Sequence, residues 1–246
     1  MSFTLDRRRR GNPVKTRPAE RRYAGQLRKI AEHCGTVING FPPGDQGAAA
    51  TITQLLDAYA AMLQPWAVQT ASNMLMDVAL RDERTWKEYA KDLSRGLREE
   101  IRRTPTGVVM QQLLSEQVGL IQSIPRDAAE RVHRLTLAGI EDSTRASEIA
   151  KEIMRSGEVA KSRAVLIART EVSRTASTLT EARALHIGSP GYFWRTSDDI
   201  DVRHSHREME GKFVRWDTPP TLDGMTGHAG CFPNCRCYPE PVIPDE

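Results

Sequence analysis

Apolar residues recur at intervals of three and four over most of the first 190 positions. Two of the clearest runs are Ile52, Leu55, Leu56, Tyr59 and Leu63, and Val165, Ala168, Val172, Ala176 and Leu179. Because an α-helix has 3.6 residues per turn, this spacing gathers the apolar side chains on one face. The pattern therefore predicts a succession of amphipathic helices that ends at Gly188.

After Gly188 the pattern changes to short strand-like runs between glycine- and proline-rich turns. The runs cover residues 192–197, 212–216 and 238–243, and the third contains Pro239 and Pro241. Proline cannot donate a hydrogen bond to a neighbouring strand, so we expect the third strand at an edge. The sequence thus predicts a predominantly helical α+β protein whose last part contains a small antiparallel sheet.

Three regions follow from these changes along the chain. We expect a disordered basic arm over residues 1–20, a helical region over 21–139, and a domain of two helices and the sheet over 140–246. No apolar run approaches the roughly 18 residues of a membrane helix, so we expect no membrane segment. No secretory signal is evident either, which favours synthesis in the cytoplasm and reduced cysteines.

Positive charge is concentrated at the N-terminus. Residues 1–30 hold ten Lys and Arg against Asp6 and Glu20, a net charge of +8 in a chain whose total is +3. The densest run is Arg7, Arg8, Arg9 and Arg10. A basic arm on a mildly acidic body suits contact with nucleic acid or with an acidic protein surface, whereas the alternative is a tail that only aids solubility.

The candidate chemistry lies in the last sixty residues, which hold three of the four cysteines and three of the six histidines. Neutral imidazole and thiolate are the usual zinc ligands, and a structural zinc site takes four of them. We predict a structural zinc held by His206, Cys231, Cys235 and Cys237, with His228 as an alternative ligand. Buried small residues without a metal, or disulfide pairing, are the other two interpretations of this cluster.

Four charged residues, Arg169, Glu171, Asp201 and Arg203, are candidates for structural ion pairs. Arg169 and Glu171 stand two apart on a predicted helix and cannot share a face, so one of them must point inward. We expect them to be ion-pair or hydrogen-bond groups that meet Asp201 or Arg203, with plain surface charge as the alternative. The acidic run that contains Asp201 lacks the spacing of a calcium loop and is typical of a solvated turn.

Residues 140–240 contain four distinctive segments, namely 143–150, Ala168-Arg169-Thr170-Glu171 within a predicted long helix, Trp194-Arg195-Thr196, and the closing Cys235-Arg236-Cys237. In their order and spacing these segments resemble the phage Mu F-like minor head proteins, also called phage head morphogenesis proteins. The chain departs from that pattern in having His228 and Cys231 before its end, which leaves the fourth metal ligand open.

The resemblance implies a low-copy virion protein with a structural role and no enzymatic activity. Its expected place is the portal vertex or capsid interior, where it would act in head assembly and in DNA packaging or delivery. Its expected partners are the portal protein, the major capsid protein and double-stranded DNA, the last through Arg7 to Arg10. The alternative is a zinc-dependent enzyme, a nuclease or a toxin-like transferase, that acts on nucleic acid.

Overall fold

The computed structural model describes residues 14–42, 45, 47–89, 99–101, 103–141 and 146–244. Its helices are α1 (Arg17–Asn39), α2 (Ala48–Met62), α3 (Gln64–Tyr89), α4 (Thr106–Glu141), α5 (Ala146–Met154), α6 (Ser156–His186) and the short α7 (His204–Arg207). Its strands are β1 (Gly191–Arg195), β2 (Phe213–Arg215), β3 (Thr221–Leu222), β4 (Met225–Thr226) and β5 (Tyr238–Pro241). The predicted fold class, mostly helical with a small antiparallel sheet, is confirmed.

The chain divides into two compact units by its contacts. One unit is helical and contains the described residues of 21–73 and 114–168, and the other contains the described residues of 1–20, 74–113 and 169–246. The three longest helices, α3, α4 and α6, each contribute residues to both units. The domain boundary expected near residue 140 follows chain order rather than contacts, and it stays a prediction. No helix in the described ranges has the length and apolarity needed to cross a membrane.

The helical unit packs α1 against its neighbours through an apolar stripe. The stripe is fully buried and consists of Leu27, Ile30, Ala31, Cys34 and Ile38. At Gly35, α6 comes so close to α1 that a Cβ on Gly157 would lie 2.8 Å from the Cα of Gly35. Glycine at 157 is therefore a packing requirement.

Helix α4 differs from the sequence prediction at Pro125. The pattern predicts one helix ending near Ile121 and a second beginning at Pro125, yet the structure has one helix with Pro125 inside it. A proline inside a helix costs about 3 kcal/mol because it removes a hydrogen bond and crowds the preceding turn. Burial of Ile121, Ile124, Ala128 and Ala129 along this stretch offsets that cost.

Helix α1 also differs from the prediction, because it begins at Arg17 rather than near Arg21. The N–H of Glu20 donates to the carbonyl of Thr16 at 3.0 Å, which closes its first turn. Arg7 to Arg10 lie outside the described residues.

The other unit is built on a three-stranded antiparallel sheet in the order β2-β1-β5. Central strand β1 places Tyr192 and Trp194 on its buried face, with Val214 and Trp216 from β2 and its C-terminal flank beside them. Strand β5 lies at an edge, as its two prolines predict, and pairs Trp194 with Pro239 and Tyr192 with Pro241. The same core includes Phe232, Cys235 and Cys237, so the sheet positions the predicted site.

Candidate metal centre

His206 lies on α7, the four-residue helix that follows the acidic turn. Its ring is 2% exposed and packs edge-on against two aromatic rings. The ring centroids lie 5.5 Å from that of Trp194 on β1 and 4.9 Å from that of Phe232. Because both neighbours are apolar and buried, the imidazole is fixed in one orientation, with its Nδ1 facing the two closing cysteines.

Cys235 and Cys237 reach His206 from the segment that leads into β5. Asn234 has a positive φ of 58°, and the N–H of Cys235 donates to the carbonyl of Phe232 at 3.0 Å, which makes a tight turn. After the turn, the N–H of Cys237 donates to the Sγ of Cys235 at 3.3 Å, which holds the two cysteines close together. The His206 Nδ1 lies 3.5 Å from the Sγ of Cys235 and 3.6 Å from that of Cys237.

These distances fit a tetrahedral zinc ion. Zinc bonds of about 2.3 Å to sulfur and about 2.0–2.1 Å to nitrogen, at tetrahedral angles, put the nitrogen and sulfur ligands about 3.6 Å apart. The three ligand atoms also lie within 4.8 Å of one another, and all three residues are buried. The group therefore has the ligand types and the spacing to hold a metal ion.

The two thiols do not ionise alike. The hydrogen bond from Cys237 to the Cys235 sulfur lowers the pKa of Cys235, with help from His206 and against the effect of burial. The same contact, together with burial, raises the pKa of Cys237. Cys235 is thus the more acidic of the two thiols. Because zinc takes thiolates, its binding would release the protons that the two sulfurs hold.

Cys231 and His228, the other two predicted ligands, lie outside this group. The N–H of Cys231 donates to the carbonyl of His228 at 3.1 Å, and burial raises the pKa of the Cys231 thiol to about 12. The His228 ring has other neighbours, with Nδ1 3.2 Å from the Tyr192 hydroxyl and Nε2 3.6 Å from a carboxylate oxygen of Glu181. Burial lowers the pKa of His228, which favours the neutral ring.

A polar cleft of about 280 Å³ adjoins the metal group. It is lined by His206, Cys235 and Cys237 together with Arg169, Ser197, Asp199, Asp201, Val202, Arg203, Asn234 and Arg236. Three of the four residues predicted to form structural ion pairs, namely Arg169, Asp201 and Arg203, are thereby brought to one place.

Each of the four predicted ion-pair residues has its own partner in the structure. Arg169 pairs with Glu20 at 3.4 Å, and the buried Glu171 pairs with Arg174 at 3.4 Å. Arg203 donates from Nη2 to the carbonyl of Pro233 at 2.6 Å. The backbone N–H of Asp201 donates to the Asp199 carboxylate at 3.1 Å, as expected for a structured acidic turn.

Sequence reasoning missed the buried ion pair beneath this sheet. Asp82 on α3 is 0% exposed, and its carboxylate accepts from Arg183 Nε at 2.7 Å and from the Thr180 hydroxyl at 3.1 Å. Arg183 also donates from Nη1 to the carbonyl of Ile101 at 3.1 Å. Burial raises the pKa of Asp82, and the bonds from Arg183 oppose that effect. The only signal in the sequence was a charged residue on the apolar face of each helix.

A second missed feature joins α6 to the turn before the cysteines. The Ser177 hydroxyl donates to the carbonyl of Ala229 at 2.7 Å. Next to it, Gly230 has a φ of +87°, and a Cβ there would lie 2.2 Å from the Ser177 oxygen. This contact leaves no room for a side chain at residue 230.

Comparison with known proteins shows that residues 130–239 match the family described as phage Mu protein F like protein. The matched segment includes His206, Cys235 and Cys237, and it confirms the resemblance drawn from the sequence.

Two curated proteins are similar to about half of the chain. An uncharacterized protein of Haemophilus influenzae is 31% identical over 131 residues, which are 53% of this chain and 29% of that protein. The NAD(+)--arginine ADP-ribosyltransferase EFV of Enterococcus faecalis is 32% identical over 129 residues, which are 48% of this chain and 26% of that protein. The chain thus spans less than a third of the length of either relative. No solved structure matches.

Proposed function

Because residues 130–239 match the phage Mu protein F like family, we propose that the chain is a minor head protein of a tailed bacteriophage. The match supports a role in head morphogenesis. Within that role, we assign the protein a structural place at the portal vertex or capsid interior, where it acts in assembly and in DNA packaging or delivery. It is made in the host cytoplasm, and its partners are the portal protein and the major capsid protein.

The basic N-terminus supports a further contact with double-stranded DNA. Arg7 to Arg10 precede α1, whose exposed side chains include Arg17, Arg21 and Arg28. Cations of this kind bind the phosphate backbone without reading the base sequence. Each phosphate contact contributes about −0.9 to the slope of log affinity against log salt. Replacing Arg7 to Arg10 with glutamine should therefore reduce that slope by about three to four in a DNA-binding titration.

A matched control for this variant removes four cations that are already paired with carboxylates. These are Lys87, Arg155, Lys161 and Arg215. Glutamine at these four positions changes the net charge equally, and it should change the slope by less than about one. Equal losses in both variants would show that the arm makes no specific contribution.

Zinc is the metal we assign to His206, Cys235 and Cys237, and its role is structural. It would join α7 to the segment leading into β5, two parts of the chain that have few apolar residues of their own. Purified protein should contain about one zinc per chain, and Cys235→Ser should lose the zinc and melt at a lower temperature. Cys231→Ser, outside the group, should keep it. A wild-type protein that binds no zinc would contradict the assignment.

Complementation tests the function itself. The gene is deleted from the phage or prophage that carries it, and a plasmid then supplies the wild-type or a variant protein. We expect the deletion to reduce infectious particles at least tenfold, with empty or aberrant heads in electron micrographs, and the wild-type gene to restore them. Undiminished particle yield without the gene would refute a role in head morphogenesis.

An enzyme acting on nucleic acid is the second candidate, and the cleft beside the metal group favours it. Catalytic zinc sites have three protein ligands and an open position, which matches the three ligands grouped here. Metal-dependent DNA cleavage that His206→Ala abolishes without unfolding the protein would establish this activity. Absence of turnover on DNA and RNA in the zinc-loaded protein would leave the structural role.

A further inference from the structure

The metal group offers three ligands, whereas a tetrahedral zinc ion takes four. Among the residues that the structure describes, no fourth His, Cys, Asp or Glu ligand atom lies within the 4.8 Å grouping of His206, Cys235 and Cys237. All three ligands line the cleft of about 280 Å³. The remaining coordination position of a bound metal therefore has the cleft as its available space.

Two carboxylates line the cleft but do not join the group. Asp199 is held by Arg236, whose Nη1 lies 3.3 Å from its Oδ2, and by the backbone N–H of Asp201. Asp201 itself is exposed. To reach the metal, Asp199 would have to break its contact with Arg236, and Asp201 would have to move with its turn. The fold therefore favours a ligand from outside the chain.

The arginines of the cleft carry donors that the described residues do not satisfy. Arg203 uses Nη2 on the carbonyl of Pro233, but its buried Nη1 has no hydrogen-bond partner in the described part of the chain. The buried Nε of Arg236 likewise has no hydrogen-bond partner among the described residues. A buried donor without an acceptor costs about 1–3 kcal/mol, so a small shift of either side chain toward an oxygen ligand in the cleft would be favourable.

The charge balance indicates which oxygen ligand fits best. Zinc with two thiolates and a neutral imidazole has no net charge. The three arginines of the cleft are balanced by Asp199, Asp201 and the Glu20 that pairs with Arg169. A neutral surrounding of this kind accepts a single negative charge more readily than two. The balance therefore favours a carboxylate over a phosphate dianion.

We propose that the cleft is a carboxylate-binding site, in which one carboxylate oxygen completes the coordination of the metal at His206, Cys235 and Cys237 while the guanidinium of Arg203 turns to donate to the carboxylate. Arginine suits this role because its planar guanidinium matches the geometry of a carboxylate. The proposal rests on the metal assignment made above, and it does not depend on the role in the phage head.

Cobalt substitution provides the test, since Co²⁺ occupies zinc sites and its visible absorption reports the ligands. The full-length protein is loaded with Co²⁺ in a buffer without coordinating anions and is titrated with sodium acetate. We expect acetate to change the visible bands in a saturable way. Arg203→Gln should bind Co²⁺ as the wild type does but require at least tenfold more acetate. Arg215→Gln, an exposed arginine outside the cleft, should behave as the wild type.

Four results would overturn the proposal. Loss of thiolate-to-cobalt absorption in Cys231→Ser would show that Cys231 moves in as the fourth ligand. A response to inorganic phosphate but not to acetate would assign the cleft to phosphate. No response to either anion would show that the fourth coordination position of the metal is closed to external ligands. Failure to bind Co²⁺ at all would refute the metal assignment as well. The complementation experiment would still decide the role in the head.

Discussion

Replacing Asp82 with leucine removes the carboxylate on which a buried arginine depends. Asp82 is fully buried, and Arg183 is 9% exposed. After the substitution, the carbonyl of Ile101 would remain as the acceptor that the structure describes for the guanidinium of Arg183. The reciprocal change, Arg183→Met, would leave the Asp82 carboxylate with the hydroxyl of Thr180 and the side chain of Trp86. Each single substitution therefore leaves one buried charge without its counterion.

The expected cost of each single substitution is about 3–5 kcal/mol of unfolding free energy, because a lone buried charge loses its water without gaining a partner. The double variant, Asp82→Leu with Arg183→Met, places two apolar side chains together. Replacement of a buried ion pair by apolar residues is often neutral or stabilising, so the double variant should lie within about 2 kcal/mol of the wild type. The two substitutions should thus be strongly non-additive.

Urea unfolding followed by circular dichroism and by tryptophan fluorescence measures all four proteins of this cycle. Coincident transitions with the two probes would justify a two-state treatment and a comparison of unfolding free energies. Single variants that cost less than about 1 kcal/mol, or a double variant as unstable as the sum of the singles, would refute the importance of the ion pair.

Three further predictions concern stability, each measured by thermal or urea unfolding. The pKa of Glu210 is below its ordinary 4.5 because hydrogen bonds outweigh burial, so Glu210→Gln should cost about 1–2 kcal/mol at pH 7. The difference should vanish as the pH falls through that lowered pKa, and a constant difference down to pH 2 would contradict it. Gly230→Ala should destabilise the protein by at least about 2 kcal/mol more than Gly224→Ala. Gly224 is the matched control, because its φ is also positive but its surroundings are open. Equal losses would show that the close contact at Gly230 is unimportant. Gly157→Ala should lower the unfolding free energy by about 1–3 kcal/mol, because the new Cβ meets the backbone of Gly35. Gly119→Ala, in open space on a helix, should raise it by about 0.5–1 kcal/mol. An unchanged unfolding free energy in Gly157→Ala would contradict the close helix packing.

Local patterns predicted those parts of the structure that local physics determines. The three-and-four spacing of apolar residues gave the helices, and Pro239 and Pro241 gave the edge position of β5. The concentration of cysteine and histidine near the C-terminus predicted His206, Cys235 and Cys237 as one group, and the structure places both sulfurs within 3.6 Å of the His206 Nδ1.

Features that depend on contacts far apart in sequence could not be predicted in this way. Asp82 and Arg183 are 101 residues apart, and nothing local shows that their helices meet. The proline within α4 is tolerated because of tertiary packing, which a helix-breaking rule leaves out. Cys231 and Cys235 are equally plausible ligands by residue type and spacing, and only the turn around Asn234 separates them.

Proteomic analysis of purified, DNA-filled virions tests the central claim most directly. Particles induced from the strain that carries the gene are separated from empty shells and host protein by density, and their peptides are quantified by mass spectrometry. The account predicts that peptides from residues 130–239, the segment that matches the phage Mu protein F like family, are present in filled heads at a lower copy number than the major capsid protein. Their absence from both filled heads and assembly intermediates would contradict the proposed role.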